Sequence, residues 1–232
     1  VKGTVPEADG YHLSQYLPSE EREMGLYDLM NDLFKERLNI YFLGRAKSAS
    51  GFWIETNKKV SRPQELAGQK LAADGLKIPI PAGLGAVAVS MATTELYDAM
   101  SRGLVDGCVQ SLSVAVSSGD AEVVKYLIDY QLFEANNLVF LINLDTWNRI
   151  PKHLQKLLIE VEREWEVEMV DIFAEIERND RQALLAAGME LITFSPEDAE
   201  WYINAAYDAA FKDWAKNLDP GTYQKLKDMM TK

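Results

Sequence analysis

The chain has 232 residues, 47% hydrophobic and 26% charged, with 24 basic against 36 acidic side chains and a formal charge of −12. That much apolar material builds a sizeable core, while the net acidity and the lack of a basic stripe exclude a nucleic-acid surface, which needs cations to displace counterions from phosphate. No apolar run nears the roughly 18 residues a membrane span requires, since the candidate from Leu71 to Val89 is interrupted by Asp74, Lys77, Pro79 and Pro81.

The N-terminus, VKGTVPEADG, has neither the basic start nor the apolar middle of a signal peptide, so such a segment has been removed or never existed. Gly3 to Val5 reads as extended and Pro6 to Pro18 as a loop carrying Asp9, Tyr11, His12 and Tyr16. Apolar residues from Met24 to Leu38 recur at helical spacing, which predicts one helix over Ser19 to Leu38. Asn39 to Leu43 and Gly51 to Thr56 read as strands, as does Gly85 to Ser90. Residues 94–102 form a short helix stopped by Gly103, and a strand resumes at Val105. Ser111 to Asp129 reads as helical in two pieces broken near Gly119, and Leu138 to Asn143 is a further strand.

From Pro151 an apolar stripe runs through Leu154, Leu158, Val161, Trp165, Met169, Ile172 and Ile176. Continued to Ala187 it makes a helix about 55 Å long, more than one small domain needs. Glu160, Glu162, Glu164, Glu166 and Glu168 spread over its other side and read as a solvated face. Gly188 ends that helix, Met189 to Phe194 is a strand, and Ser195 with Pro196 starts another helix. Alternation of strands and helices throughout indicates α/β layers.

The chemistry-bearing residues are few. His153 reads as a solvated helix residue, and His12 lies beside Asp9 and Tyr11. Cys108, the one cysteine, has no local base and reads as a buried apolar residue, with no disulfide and no thiolate metal site. Gly83 to Ala88 fits a loose GxGxxA pattern but leads into strand-like AVAVS instead of a helix, the wrong context for a dinucleotide. No zinc-protease, Walker or calcium-loop spacing is present, so neither cofactor nor metal is expected. Tyr11, His12, Phe52, Trp53 and Gln110 stand at strand ends, where open α/β proteins bind ligands.

Thr94 to Met100 followed by Arg102 to Gly107 (TELYDAM, RGLVDG) resembles the "E-hydrophobic-Y-x-A-L-x-x-G-x-V-D-G" signature of TRAP-transporter solute-binding proteins. Thr56 to Val60, Leu66 to Leu71, Gly85 to Met91, and Asn143 to Gln155 resemble that family's other motifs in the same order. The resemblance implies a periplasmic-binding-protein-like fold, two α/β domains around a cleft with the long helix spanning both. Domain I would comprise residues 1–48 and 137–176, and domain II residues 49–136 and 177–232. It further implies a periplasmic, non-catalytic receptor that captures a small organic molecule and delivers it to a TRAP membrane permease; a ligand-sensing or partner-docking protein on the same fold is the alternative. An enzyme would need a base and a nucleophile, for which His12 and Tyr11 are the candidates.

Two departures from the family pattern carry consequences. The family has two further strand–helix units before the segment matching Val1, so the chain is expected to be N-terminally incomplete, with an exposed sheet edge. The arginine that pairs with a ligand carboxylate falls at Ala72, and a second, on the preceding strand, at Phe52 or Trp53. Either another cation, Arg45 or Lys47, takes that role or the ligand is neutral or aromatic, with Phe52 or Trp53 stacking on it. The residues and the resemblance together give Asp9, Tyr11, His12, Arg45, Phe52, Trp53, Ala72, Met91 and Gln110 as the expected ligand site.

Overall fold

The structure, a computed structural model, describes residues 3–47, 51–133 and 137–232, the side chains of Lys47 and Asn137 excepted. Proline opens both α1 (Pro6–Asp9) and α2 (Pro18–Glu23), where its missing N–H costs nothing. With a 3₁₀ turn at Tyr11–Leu13, these replace the extended stretch and loop expected before Ser19. The single helix expected to Leu38 is broken, because Gly25 at φ 82° turns the chain through the left-handed region before α3 (Leu26–Leu38).

After β1 (Ile40–Lys47) the chain runs through β2 (Trp53–Thr56), β3 (Lys70–Ala73), α4 (Pro79–Gly83), β4 (Val87–Ser90), α5 (Leu96–Ser101), β5 (Gly107–Gln110) and α6 (Leu112–Ser118). It continues through β6 (Tyr126–Ile128), β7 (Asn137–Asn143), α7 (Leu144–Arg149), α8 (Lys152–Ala186), β8 (Glu190–Ile192), α9 (Pro196–Ala215) and α10 (Pro220–Met230). The second helical piece expected before Asp129 is instead a 3₁₀ turn and β6, whose Leu127 and Ile128 are fully buried in the sheet.

Two compact units result. One comprises Val1–Ala49, Asn136–Ala174 and Trp214–Lys232, the other Ser50–Ala135 and Glu175–Asp213, so α8 contributes to both. Residues 177–232 are expected with domain II, but the tail from Trp214 packs in the first unit. There Trp214 Nε1 donates to the Pro6 carbonyl at 2.8 Å, its ring meets Tyr223 edge-on at 5.7 Å, and the Gln15 N–H reaches the Met230 carbonyl at 2.7 Å.

In the first unit β1 and β7 pair antiparallel, with a register shift between Phe42 and Gly44. α3 covers β1 through Tyr27 and Phe34, whose rings lie 5.3 and 5.7 Å from that of Phe42. Tyr41 stacks on Trp147 at 3.8 Å. Leu138, Val139, Phe140 and Leu141 of β7 stay 37–48% exposed. The second unit is built on a six-stranded sheet of order β4-β3-β5-β2-β6-β8. β3 runs parallel to β4 and β5, β2 antiparallel to β5 and β6, and β6 parallel to β8. Its core gathers Trp53, Ala72, Leu96, Met100, Cys108 and Leu127 with Leu184 from the end of α8.

The long helix corrects one expectation. Glu162 and Glu166 are buried, whereas Leu154, Leu157, Val161 and Ile172 are 38–53% exposed. The cause is a cation and a glycine. Arg22 grips Glu166 through Nε at 2.7 Å and Nη2 at 2.8 Å. Gly44, at the bulge, has no Cβ, and any Cβ there would collide with the Glu162 and Glu166 side chains.

Candidate functional site

The parallel strands of the second unit end together. β3 stops at Ala73, β4 at Ser90 and β5 at Gln110, and antiparallel β2 starts at the same edge with Trp53 opposite Gln110. Phe52, Asp74, Met91 and Ser111 extend this edge, the place where open α/β sheets hold ligands. Neighbouring residues on an extended strand face opposite ways. Trp53 accordingly enters the core beside Ala72 and Cys108. Phe52 instead meets Phe133 edge-on at 5.8 Å and lies 5.5 Å from Lys77 Nζ. Its backbone exchanges hydrogen bonds with Phe133 and Leu132 at 3.1 and 2.9 Å. Ala72 is fully buried and Met91 half-buried against the same core.

Behind this edge lies a buried acid cluster that sequence reasoning missed. Gln110 Nε2 donates to Glu55 Oε2 at 3.3 Å and to Asp120 Oδ2, and the Cys108 thiol is 3.9 Å from Glu55 Oε2. Burial, then the neighbouring Asp120 charge, pushes the Glu55 carboxyl well above the usual range, and burial raises Asp120 too. Atoms of Glu55, Cys108 and Asp120 lie within 4.8 Å of one another, close enough to ligate a metal. A carboxyl pair carrying one proton between them satisfies the same geometry without a cation.

In the first unit Tyr11 donates to Glu21 at 2.9 Å and lies under the Arg45 guanidinium, 4.3 Å away. Arg45 is 3% exposed and holds Glu21 through Nε at 2.9 Å and through Nη2. His12 is buried, with Nδ1 3.0 Å from the Asp9 carbonyl, which only accepts, so Nδ1 carries the proton. Burial pulls its pKa down to about 4, and the ring is neutral at pH 7. Asp9 itself is half-buried at the end of α1. The structure thus brings Tyr11, His12 and Arg45 together as an interior hub, and collects Phe52, Trp53, Ala72, Met91 and Gln110 at one sheet edge. The Lys47 side chain lies outside the described residues. Asp74 and Lys77 were visible in the sequence as the two charges in an otherwise apolar run, and Glu55 as a lone acid inside GFWIET.

A mixed sheet with helices packed on it, and a chain that leaves and re-enters each unit, define a periplasmic-binding-protein-like α/β fold. The chain belongs to the bacterial extracellular solute-binding proteins, family 7, whose DctP model matches residues 19–217. A TRAP periplasmic solute-binding protein from Rhodobacter sphaeroides, solved in an apo open form, matches with a TM-score of 0.82 at 20% identity, over 98% of this chain and 75% of that one. One from Desulfovibrio salexigens, solved with bound orotic acid, matches with a TM-score of 0.80 at 19% identity, over 98% and 75%. A monocarboxylate 2-oxoacid-binding periplasmic protein from Nostoc is 25% identical over 185 residues, 73% of this chain and 49% of its own length. The chain spans about half the length of the first curated relatives it matches.

Proposed function

We propose that this chain is the ligand-holding part of an extracytoplasmic, periplasmic receptor that captures a small organic acid and delivers it to a TRAP membrane permease, without catalysing a reaction. The observation that carries this reading is the family match across residues 19–217. No helix among the described residues is long and apolar enough to cross a membrane, which accords with delivery to a separate permease.

From sequence, the loss of arginine at Ala72 and at Phe52 or Trp53 leaves two alternatives, another cation (Arg45 or Lys47) in that role or a neutral or aromatic solute. The relatives support an acid instead, since one holds orotic acid and another is named for 2-oxoacid monocarboxylates. The missing arginines change how a carboxylate is held, and an acid remains the class of ligand. Capture shifts the protein toward its ligand-bound state, so ligand stabilises the fold by mass action. A thermal-shift screen with pyruvate, orotate, gluconate and galacturonate tests this. At least one acid at 100 times its Kd raises stability by about 2.7 kcal/mol, a Tm rise of several degrees. No shift from any acid contradicts the reading.

A further inference from the structure

We propose that the groove between α2 and α8 is a second binding site, which takes a short free peptide with its carboxylate at Arg163 and Arg22 and its amine at Asp171. Two cavities of about 310 and about 200 Å³ share Ser19, Glu166 and Val167, so they form one continuous groove. All of its lining residues belong to the first unit, whereas the carboxyl edge of the six-stranded sheet belongs to the second. The site therefore stands or falls independently of the organic-acid reading.

Both ends of the groove carry charge that the chain itself does not answer. The Arg163 and Asp171 side chains are exposed and have no hydrogen-bond or ion-pair partner among the described residues. Arg22 lines the wider cavity with its side chain only 9% exposed. Its Nε and Nη2 serve Glu166 and the Leu43 carbonyl, but Nη1 is buried without a partner. An unpaired buried donor is costly, and an acceptor entering from the groove removes that cost. Glu166 spends its charge on Arg22 and on the Arg45 N–H, while Glu23 at the same end is exposed and screened by water.

Between the charged ends the groove is apolar. Leu17, Val167 and Val170 wall it, with Leu17 39% and Val167 61% exposed. Arg163 and Asp171 stand eight residues apart on one helix, which is about 12 Å along its axis. An extended peptide covers that span with three or four residues, at about 3.3–3.6 Å each. Free termini put opposite charges at the two ends, and an aliphatic side chain covers the valines. A segment inside a protein chain lacks one terminus or both and leaves at least one end unanswered. Arg163 and Asp171 are exposed, so each terminal charge adds a modest pull and binding is weak, with a Kd of roughly 0.1–1 mM.

The test titrates the tetrapeptide Ala-Leu-Ala-Ala into the protein by calorimetry, beside its N-acetylated and C-amidated forms. Each block is expected to weaken binding at least about threefold at low salt. R163Q should stop distinguishing the free carboxylate from the amide while still preferring the free amine, and D171N should show the reverse. Both positions are exposed and unpaired, so the variants should keep the wild-type Tm, which controls for folding. No binding by the wild type at about 10 mM peptide overturns the inference. So does equal binding of the three peptides, which would mean an apolar groove that does not read the termini, and so does a block whose effect survives in its matching variant.

Discussion

Arg22 and Glu166, 144 residues apart in sequence, form a two-point ion pair that anchors α2 to α8, with side chains 9% and 3% exposed. The same carboxylate accepts the Arg45 N–H at 3.1 Å, and the Arg22 guanidinium donates to the Leu43 carbonyl at 3.0 Å. Removing one member of a buried pair strands the other charge. Arg22→Ala and Glu166→Ala are each expected to cost about 3 kcal/mol in urea unfolding, and the double variant clearly less than the sum. Additive losses would show that the two side chains do not act as a unit.

Glu162 stands beside this pair, and burial with the Glu166 charge pushes its pKa up to about 7 against the opposing pull of Arg22. In the unfolded chain it titrates near 4.5. Between those values the native state binds more protons, so stability is full below about 4.5 and falls as pH rises toward about 7. Glu162→Gln should flatten that slope and raise Tm at pH 8 by about 2–4 °C for each kcal/mol recovered. Parallel Tm curves for variant and wild type from pH 4 to 8 would contradict this.

These contacts mark where sequence reasoning ends. β1, β2, β7 and α8 were legible because continuous apolar runs and helical spacing are local signals. That Glu162 and Glu166 face inward was not, because the deciding partners, Arg22 and the bare backbone at Gly44, are supplied by distant segments. The apolar stripe from Leu154 to Ile172 misled for the same reason: spacing shows that a face exists, and tertiary contacts decide which face is covered. At the sheet edge the aromatic pair Phe52 and Trp53 was visible and their opposite orientation followed from strand geometry, whereas Lys77 and Asp74 registered only as breaks in an apolar run.

The Glu55–Asp120 pair gives a second pH prediction. Both carboxyls sit above the ordinary range in the folded state, so their contribution is present at low pH and is lost as pH rises past the ordinary carboxylate range. Glu55→Gln keeps the size of the side chain and removes the like-charge conflict. It is expected to stabilise the protein by about 1 kcal/mol or more at pH 7 and to change little at pH 4. A loss of stability at pH 7 would mean that the ionised Glu55 is needed, as a bound cation would require.

Cys108 offers a simple probe of the same core. It is fully buried, and burial with the Glu55 and Asp120 charges pushes its thiol pKa well up. Native protein should therefore leave an aromatic disulfide reagent unreacted over hours and release one equivalent on unfolding in urea. Rapid native reaction would show that the sheet edge around Gln110 opens readily.

The exposed strand face of β7 is expected to tolerate polar residues. Leu138→Lys should change stability by no more than about 0.5 kcal/mol and reduce binding of a hydrophobic dye. A large loss would show that this face is covered in solution.

Whether the chain holds a small organic acid, as proposed, is best decided by native mass spectrometry of the purified protein. A one-to-one adduct is expected, either carried through purification or formed with an added acid from the set above, and its released molecule should have the mass and negative-ion signature of a carboxylic acid. Protein that stays bare at saturating acid, with no rise in Tm, would contradict the proposal.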